Sequence, residues 1–186
     1  MRMFDDTFMS AVFDRRKKET ELLIQTIFGR DDIKVTSTKA QVDVSNVYGR
    51  KIRLDILAHD SQKKAYNIEV QREMAGASVQ RARYYAAMVD ASLLDTAQQF
   101  AELPERYTIF ITEEDMFGKG IPAYHAENTI AELGGRPLGD GGHIIYVNGQ
   151  YRDVNTPIGA LMHDFSCTDA DNIITPMLRD RVRYLK

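Results

Sequence analysis

Two acidic residues lie in the middle of a segment that has the pattern of a buried β-hairpin. Asp55 lies in the apolar run of residues 50–59, RKIRLDILAH, and Glu69 and Gln71 lie in residues 64–71, KAYNIEVQ. Two carboxylates held close together in a buried place repel each other, and burial makes each harder to ionise. A divalent cation between them removes that penalty, and hard oxygen ligands favour Mg²⁺ or Mn²⁺ over zinc.

The length of the connecting loop decides whether the two carboxylates meet. If residues 60–64 form that loop, antiparallel pairing puts Asp55 directly opposite Glu69, with Cβ atoms about 4.5–5.5 Å apart. Side chains two apart on a strand share a face, so Gln71 joins Glu69. A register shift of one residue would put the carboxylates on opposite faces of the sheet.

The alternative is that both carboxylates are ordinary solvated groups on exposed strands. Two features favour the metal site over this alternative. The first is that apolar residues flank both acids, which indicates buried strands. The second is an arginine cluster that follows, Arg72, Arg81 and Arg83, beside Tyr84 and Tyr85.

Hydrophobic periodicity predicts the elements that must position this hairpin. Helices are expected over residues 4–13, around Leu22–Phe28 with an end at Gly29, over 78–94, over 157–165 and in the tail 178–186. Strands are expected around Val42 and Val44, followed by a turn at Tyr48-Gly49, in the hairpin, and over 107–112 and 143–147, with loop between the last two. This order predicts an α/β fold with a mixed sheet between helices.

Composition excludes several classes of protein. The 186 residues suffice for one domain, and a net charge of −3 means that an anionic partner must meet a local basic patch. The single cysteine, Cys167, excludes an internal disulfide and suits a reducing compartment. With no long apolar run and no signal pattern near Met1, a cytoplasmic location without membrane contact is expected. The four histidines, His59, His125, His143 and His163, show no metal-binding spacing and are predicted to be ordinary.

Several short segments resemble the Rpn family of recombination-promoting nucleases and transposases, in the PD-(D/E)xK nuclease superfamily. They are LD at 54–55, IEVQ at 68–71, RARYY at 81–85, DDTFMSAVF at 5–13, YTIFITEEDMFG at 107–118, and LMHDF and RVRYLK near the end. The resemblance covers nearly the whole chain. It implies a restriction-endonuclease-like αβββαβ core over residues 1–186, with a further C-terminal region beyond it. The implied activity is Mg²⁺- or Mn²⁺-dependent cleavage of DNA, linked to recombination or transposition.

The same resemblance assigns roles to the hairpin residues. Asp55 and Glu69 correspond to the two metal-binding acids, and the Val70 carbonyl completes the inner shell. Gln71 corresponds to the third catalytic position, where most of the superfamily has lysine. Lysine brings a positive charge to the reacting phosphate, whereas glutamine can only orient a water by hydrogen bonds.

Other residues carry open alternatives. A further acid from the first helices often joins such sites, and Asp6, Glu19 and Glu21 are equal candidates. Arg72, Arg81 and Tyr85 are the expected DNA contacts. The alternatives are that Arg81 pairs with a surface acid, which is slightly less favoured, and that one of Tyr84 and Tyr85 belongs to the core. The rival function is a catalytically weak DNA-binding or protein-interaction module that keeps the fold, and whether the chain forms a homodimer stays open.

Overall fold

The computed structural model describes residues 1–45, 49 and 51–186. Tyr48, half of the expected turn at 48–49, lies outside the described residues. The α-helices are α1 Asp6–Phe13, α2 Lys17–Phe28, α3 Val79–Leu93, α4 Pro157–Ser166 and α5 Pro176–Leu185. The strands are β1 Val35–Ser45, β2 Lys51–Asp60, β3 Ala65–Gln71, β4 Arg106–Thr112, β5 Ala123–Glu127, β6 Thr129–Ile130, β7 Arg136–Pro137 and β8 Gly142–Asn148.

Six strands form one mixed sheet in the order β1-β2-β3-β4-β8-β5. β1, β2 and β3 pair antiparallel, β3, β4 and β8 pair parallel, and β5 is antiparallel to β8. The α3 helix lies in the connection between the parallel neighbours β3 and β4, as the order of the elements predicts. The α/β fold with a restriction-endonuclease-like core is thereby confirmed. No helix in the described part of the chain is long and apolar enough to cross a membrane.

The prediction that the segment between β4 and β8 is all loop is wrong in part. It contains the edge strand β5, and β6 pairs with β7 in a separate two-stranded sheet. The residues of β5 are exposed or half-buried, and only Ala123, Tyr124 and Ala126 are apolar. An edge strand that buries little of its surface lacks the alternation by which strands are recognised.

Helices cover both faces of the sheet. On one face, α1, α2, α4 and α5 pack on β3, β4 and β8 in the largest core cluster, which includes Met9, Ile24, Ile68, Ile109, Ile145, Leu161 and Leu178. On the other face lies α3, whose Ala82 belongs to a cluster with Phe110 and Tyr146. The strands that carry the two acids are therefore enclosed between helical layers.

The hairpin has the register that a loop at 60–64 predicts. His59 pairs with Ala65, and the ladder continues to Ile56 and Ile68. The turn is closed by Asp60, whose Oδ1 accepts hydrogen bonds from the backbone N–H groups of Gln62 and Lys64, at 2.8 and 2.9 Å. The register prediction is confirmed for these pairs, and Asp55 and Glu69 come one step beyond the last of them.

At Asp55, the side chains of β2 switch from one helical layer of the fold to the other. Ile56 belongs to the core under α1 and α2, whereas Leu54 packs in a cluster with Tyr85 and Val89 of α3. Opposite this point on β1, Gln41 has a φ of 54°, which side-chain-bearing residues seldom adopt. Asp55 thus lies where the hairpin turns from one layer of the fold to the other.

Candidate active site

Asp55 and Glu69 continue the contact between β2 and β3 through their side chains. The Asp55 carboxylate oxygen Oδ2 accepts a hydrogen bond from the Val70 backbone N–H, at 2.9 Å. The Glu69 oxygen Oε1 accepts one from the Asp55 backbone N–H, at 3.3 Å. Each acid is therefore held against the strand that carries the other.

Both carboxylates are buried and difficult to ionise. Asp55 is 8% exposed and Glu69 is 0% exposed. Burial raises the pKa of Asp55 to about 6, against the opposing effect of the hydrogen bond from Val70. Burial, and then the charge of Asp55, raise the pKa of Glu69 well above its usual value. Without a cation, the pair therefore holds protons that free carboxyl groups would lose.

The donor set fits a hard divalent cation. Glu69 Oε2 is buried and makes no hydrogen bond of normal geometry among the described residues, and the Asn67 side chain is the polar group near this carboxylate. A buried polar atom left unpaired costs free energy, and an ion or water explains such an atom. Two carboxylates with a free buried oxygen match the preference of Mg²⁺ and Mn²⁺ for oxygen ligands.

A cleft of about 760 Å³ opens beside the pair. Asp55, Val70 and Gln71 line it, together with basic side chains from three segments, Lys51, Arg53, Arg72 and Arg81. The structure therefore brings the predicted metal ligand Asp55 and the third hairpin position, Gln71, to one surface. Glu69 is not part of that surface and contacts Asp55 from within the fold.

Gln71 is held close to a short turn of 3₁₀ helix. Gly76, in the segment Met74–Ala77, approaches so closely that a Cβ atom built on it would overlap with Gln71 Oε1. The absence of a side chain at position 76 thus leaves space for the Gln71 amide at the edge of the cleft.

The three candidate additional acids lie in different places. Asp6, at the start of α1, lines the cleft, and its Oδ1 accepts a hydrogen bond from Gln41 Nε2 at 3.1 Å. Glu19 is buried and pairs with Arg16 at 2.6 Å. The Glu21 carboxylate accepts a hydrogen bond from the Val35 backbone N–H at 2.8 Å. Of the three, the structure places Asp6 beside the Asp55 carboxylate, whose pKa its charge raises.

The expected DNA-contact residues all line the cleft. Arg81 Nη2 donates a hydrogen bond to the Tyr85 hydroxyl at 2.9 Å, and its guanidinium lies 4.8 Å from the centre of the Tyr85 ring. Tyr85 itself is buried. Arg72 is exposed and faces Glu113 and Asp5 at 3.4 and 3.5 Å.

Sequence reasoning missed several residues of the cleft, among them Lys51 and Gln41. Lys51 is exposed at the start of β2, four positions before Asp55, and Gln41 contacts both Asp6 and Ser10. The position of Lys51 on the Asp55 strand was the available signal. No sequence signal indicated Gln41, because its position at the cleft depends on the pairing of β1 with β2.

The acid on one strand and Glu-x-Gln on the next lie in a mixed sheet between helices, as the sequence predicts for a nuclease of the restriction-endonuclease-like fold. The family described as PD-(D/E)XK nuclease family transposase matches residues 14–150. The chain belongs to this family. The match begins after Asp6, so the first helix lies outside it. No curated protein and no solved structure matches the chain.

Proposed function

We propose that this chain is a metal-dependent DNA endonuclease that hydrolyses phosphodiester bonds. The observation that carries the proposal is the buried pair Asp55 and Glu69, with an oxygen on Glu69 that makes no hydrogen bond of normal geometry among the described residues, next to a cleft lined by basic residues. Membership of the nuclease family supports the same reaction class.

The hairpin residues have distinct roles in this proposal. The carboxylates of Asp55 and Glu69 and the carbonyl of Val70 would hold Mg²⁺ or Mn²⁺. When bound, such an ion supplies Lewis-acid chemistry, which acidifies water and polarises a phosphate. The Gln71 amide orients the attacking water by hydrogen bonds, and Asp6 adds a further acidic group at the cleft.

Basic side chains compensate for the neutral residue at position 71. Lysine at this position would place a charge beside the phosphate, and Gln71 cannot. Lys51, Arg72 and Arg81 line the same cleft and bring positive charge to it, beside its acidic residues Asp6, Asp55 and Glu73. Arg81 and Arg72 bind phosphate oxygens of the DNA in this proposal, and Tyr85 acts by orienting Arg81.

The biological setting is part of the proposal. We assign the chain to the Rpn branch of the family, with a role in recombination or transposition in the cytoplasm. Residues 1–186 act as one nuclease domain in this proposal. All groups proposed for one cut come from one chain, so a homodimer would bring two such sites to one duplex.

A DNA-binding module with weak catalysis is the second candidate. The glutamine at position 71 favours it, because this residue removes the charge that most of the superfamily uses. Such a module would bind DNA through the same basic cleft, and its binding would not require the two carboxylates.

A nicking assay on supercoiled DNA separates the two functions. We expect nicking with Mg²⁺ or Mn²⁺, loss of nicking with chelator, and loss in Asp55→Asn. The exposed Asp171→Asn is a matched control and should retain activity, since Asp171 pairs with Arg183 and neither residue lines the cleft. DNA binding in a gel shift without any metal-dependent nicking would establish the binding module instead.

A further inference from the structure

Two histidines and a glutamate meet at the edge of the sheet, far from the nuclease cleft along the strands. His125 and Glu127 lie two positions apart on β5 and share a face, and Glu127 pairs directly with His143 of β8. One ligand atom from each of the three residues lies within 4.8 Å of the other two.

The distances between these atoms approach those of ligands on one tetrahedral ion. His125 Nε2 lies 3.0 Å from His143 Nδ1, and that Nδ1 lies 3.9 Å from Glu127 Oε2. Two nitrogens bound to one tetrahedral zinc are about 3.3 Å apart, from Zn–N bonds of about 2.0–2.1 Å. In the metal-free chain the two histidines share a hydrogen bond through these nitrogens, which an ion bound between them would replace.

Neighbouring side chains hold the ring of His143 in place. Its Nε2 faces Glu105 Oε1 at 3.4 Å, and Glu105 is in turn paired with Lys64 at 2.7 Å. The His143 ring stacks on Tyr107, with centroids 4.7 Å apart. A carboxylate on one ring nitrogen fixes the tautomer and leaves the other nitrogen for a metal, as in carboxylate–histidine–zinc sites.

We propose that His125, Glu127 and His143 bind one transition-metal ion of the zinc type, which joins the edge strand β5 to β8. The imidazole ligands favour zinc, nickel, cobalt or copper, whereas the Asp55–Glu69 site favours hard cations. The two sites lie at opposite ends of the parallel strands, because His143 is near the start of β8 and Glu69 near the end of β3. The proposed role is structural, since β5 is otherwise an exposed strand paired on one side.

Cobalt and zinc binding to the full chain tests this site. The experiment uses Glu69→Gln as the background, so that the nuclease site does not contribute. We expect one Co²⁺ per chain with the visible absorption of a site containing nitrogen ligands, and a melting temperature that rises with Zn²⁺. His125→Ala and Glu127→Gln, both at exposed positions, should weaken binding at least about 10-fold.

His163→Ala is the matched control. It removes a histidine from the second cluster of potential ligands, His163, Asp164 and Cys167, whose Asp164 already accepts hydrogen bonds from two backbone N–H groups. This variant should bind zinc like the background. Equal affinity in His125→Ala, loss of binding only in His163→Ala, or one ion for every two chains would each overturn the proposal.

Discussion

Asp55 and Glu69 each use one carboxylate oxygen to bind the strand of the hairpin opposite their own. Asp55 accepts a hydrogen bond from the backbone of Val70, and Glu69 accepts one from the backbone of Asp55. The two acids thus replace main-chain pairing just where the ladder between Ile56 and Ile68 ends. This arrangement holds two repelling groups together and leaves one oxygen of Glu69 without a hydrogen bond of normal geometry among the described residues.

Glu69→Gln should abolish metal-dependent nicking while leaving the metal-free protein equally or more stable. Glutamine keeps an oxygen that can accept the Asp55 N–H, and it removes the repulsion between the buried acids. Urea denaturation with and without Mn²⁺ checks this, and the stabilisation by Mn²⁺ should disappear. A large loss of stability without metal, with Mn²⁺ binding unchanged, would identify Glu69 as a structural residue.

Gln71→Lys should retain the fold and keep or raise metal-dependent cleavage. Lysine reaches the same edge of the cleft and adds the positive charge that most of the superfamily has there. Single-turnover cleavage rates of the two proteins provide the comparison. Complete loss of cleavage with unchanged metal binding would show that the amide has a role that a charge cannot replace.

Gly76→Ala should lower cleavage without unfolding the protein. A methyl group at position 76 overlaps with Gln71 Oε1, and the flexible end of that side chain must move away. We expect a decrease of roughly 10- to 100-fold, the effect typical of losing a supporting contact. Ala77→Gly, also in the 3₁₀ segment, tests whether any change there has the same effect. An unchanged cleavage rate in Gly76→Ala would mean that the position of Gln71 is unimportant.

Asp6→Asn should lower nicking in Mg²⁺ by roughly 10- to 100-fold, since Asp6 lines the cleft beside Asp55. Glu132→Gln, at an exposed position outside the cleft, serves as the control. Nicking rates at several Mg²⁺ concentrations show whether the loss reflects metal affinity. If Asp6→Asn behaves like the control, the first helix contributes no acid to the site.

In the metal-free protein, the contribution of Asp55 to the free energy of unfolding should fall as the pH rises from about 4 to 6. The pKa of Asp55 is about 6 in the folded state, against about 3.9 in an unfolded chain. The folded state therefore binds more protons in this range, so stability is highest below it and falls as the pH increases. The raised pKa of Glu69 acts in the same direction.

Urea denaturation across this range measures the slope, and Asp55→Asn should reduce it. In the presence of Mn²⁺ the stabilisation should grow with pH, because binding releases protons from the carboxyl groups. The same pH dependence in Asp55→Asn and in the unsubstituted protein would contradict the raised pKa of Asp55.

Much of the fold could be predicted from the sequence because buried apolar residues recur with the period of the strand or helix that contains them. The apolar positions of β2 and β3 repeat with a strand period, and the five-residue loop at 60–64 sets their register. The α2 helix ends at Gly29, whose φ of 61° suits glycine. These features depend on residues close together in the chain, so their spacing alone was enough to predict that Asp55 lies next to Glu69.

The tertiary structure decided which polar residues meet. Asp6 lies in the cleft, whereas Glu19 pairs with Arg16 and Glu21 accepts a hydrogen bond from Val35. The sequence pattern around the three acids does not distinguish them. His125 and His143 are brought together by the pairing of β5 with β8, and their separation in the chain carries no metal-binding pattern. Polar side chains at an edge strand or a cleft bury little apolar surface, so their contacts leave no periodic signal, and only the packing of distant segments determines them.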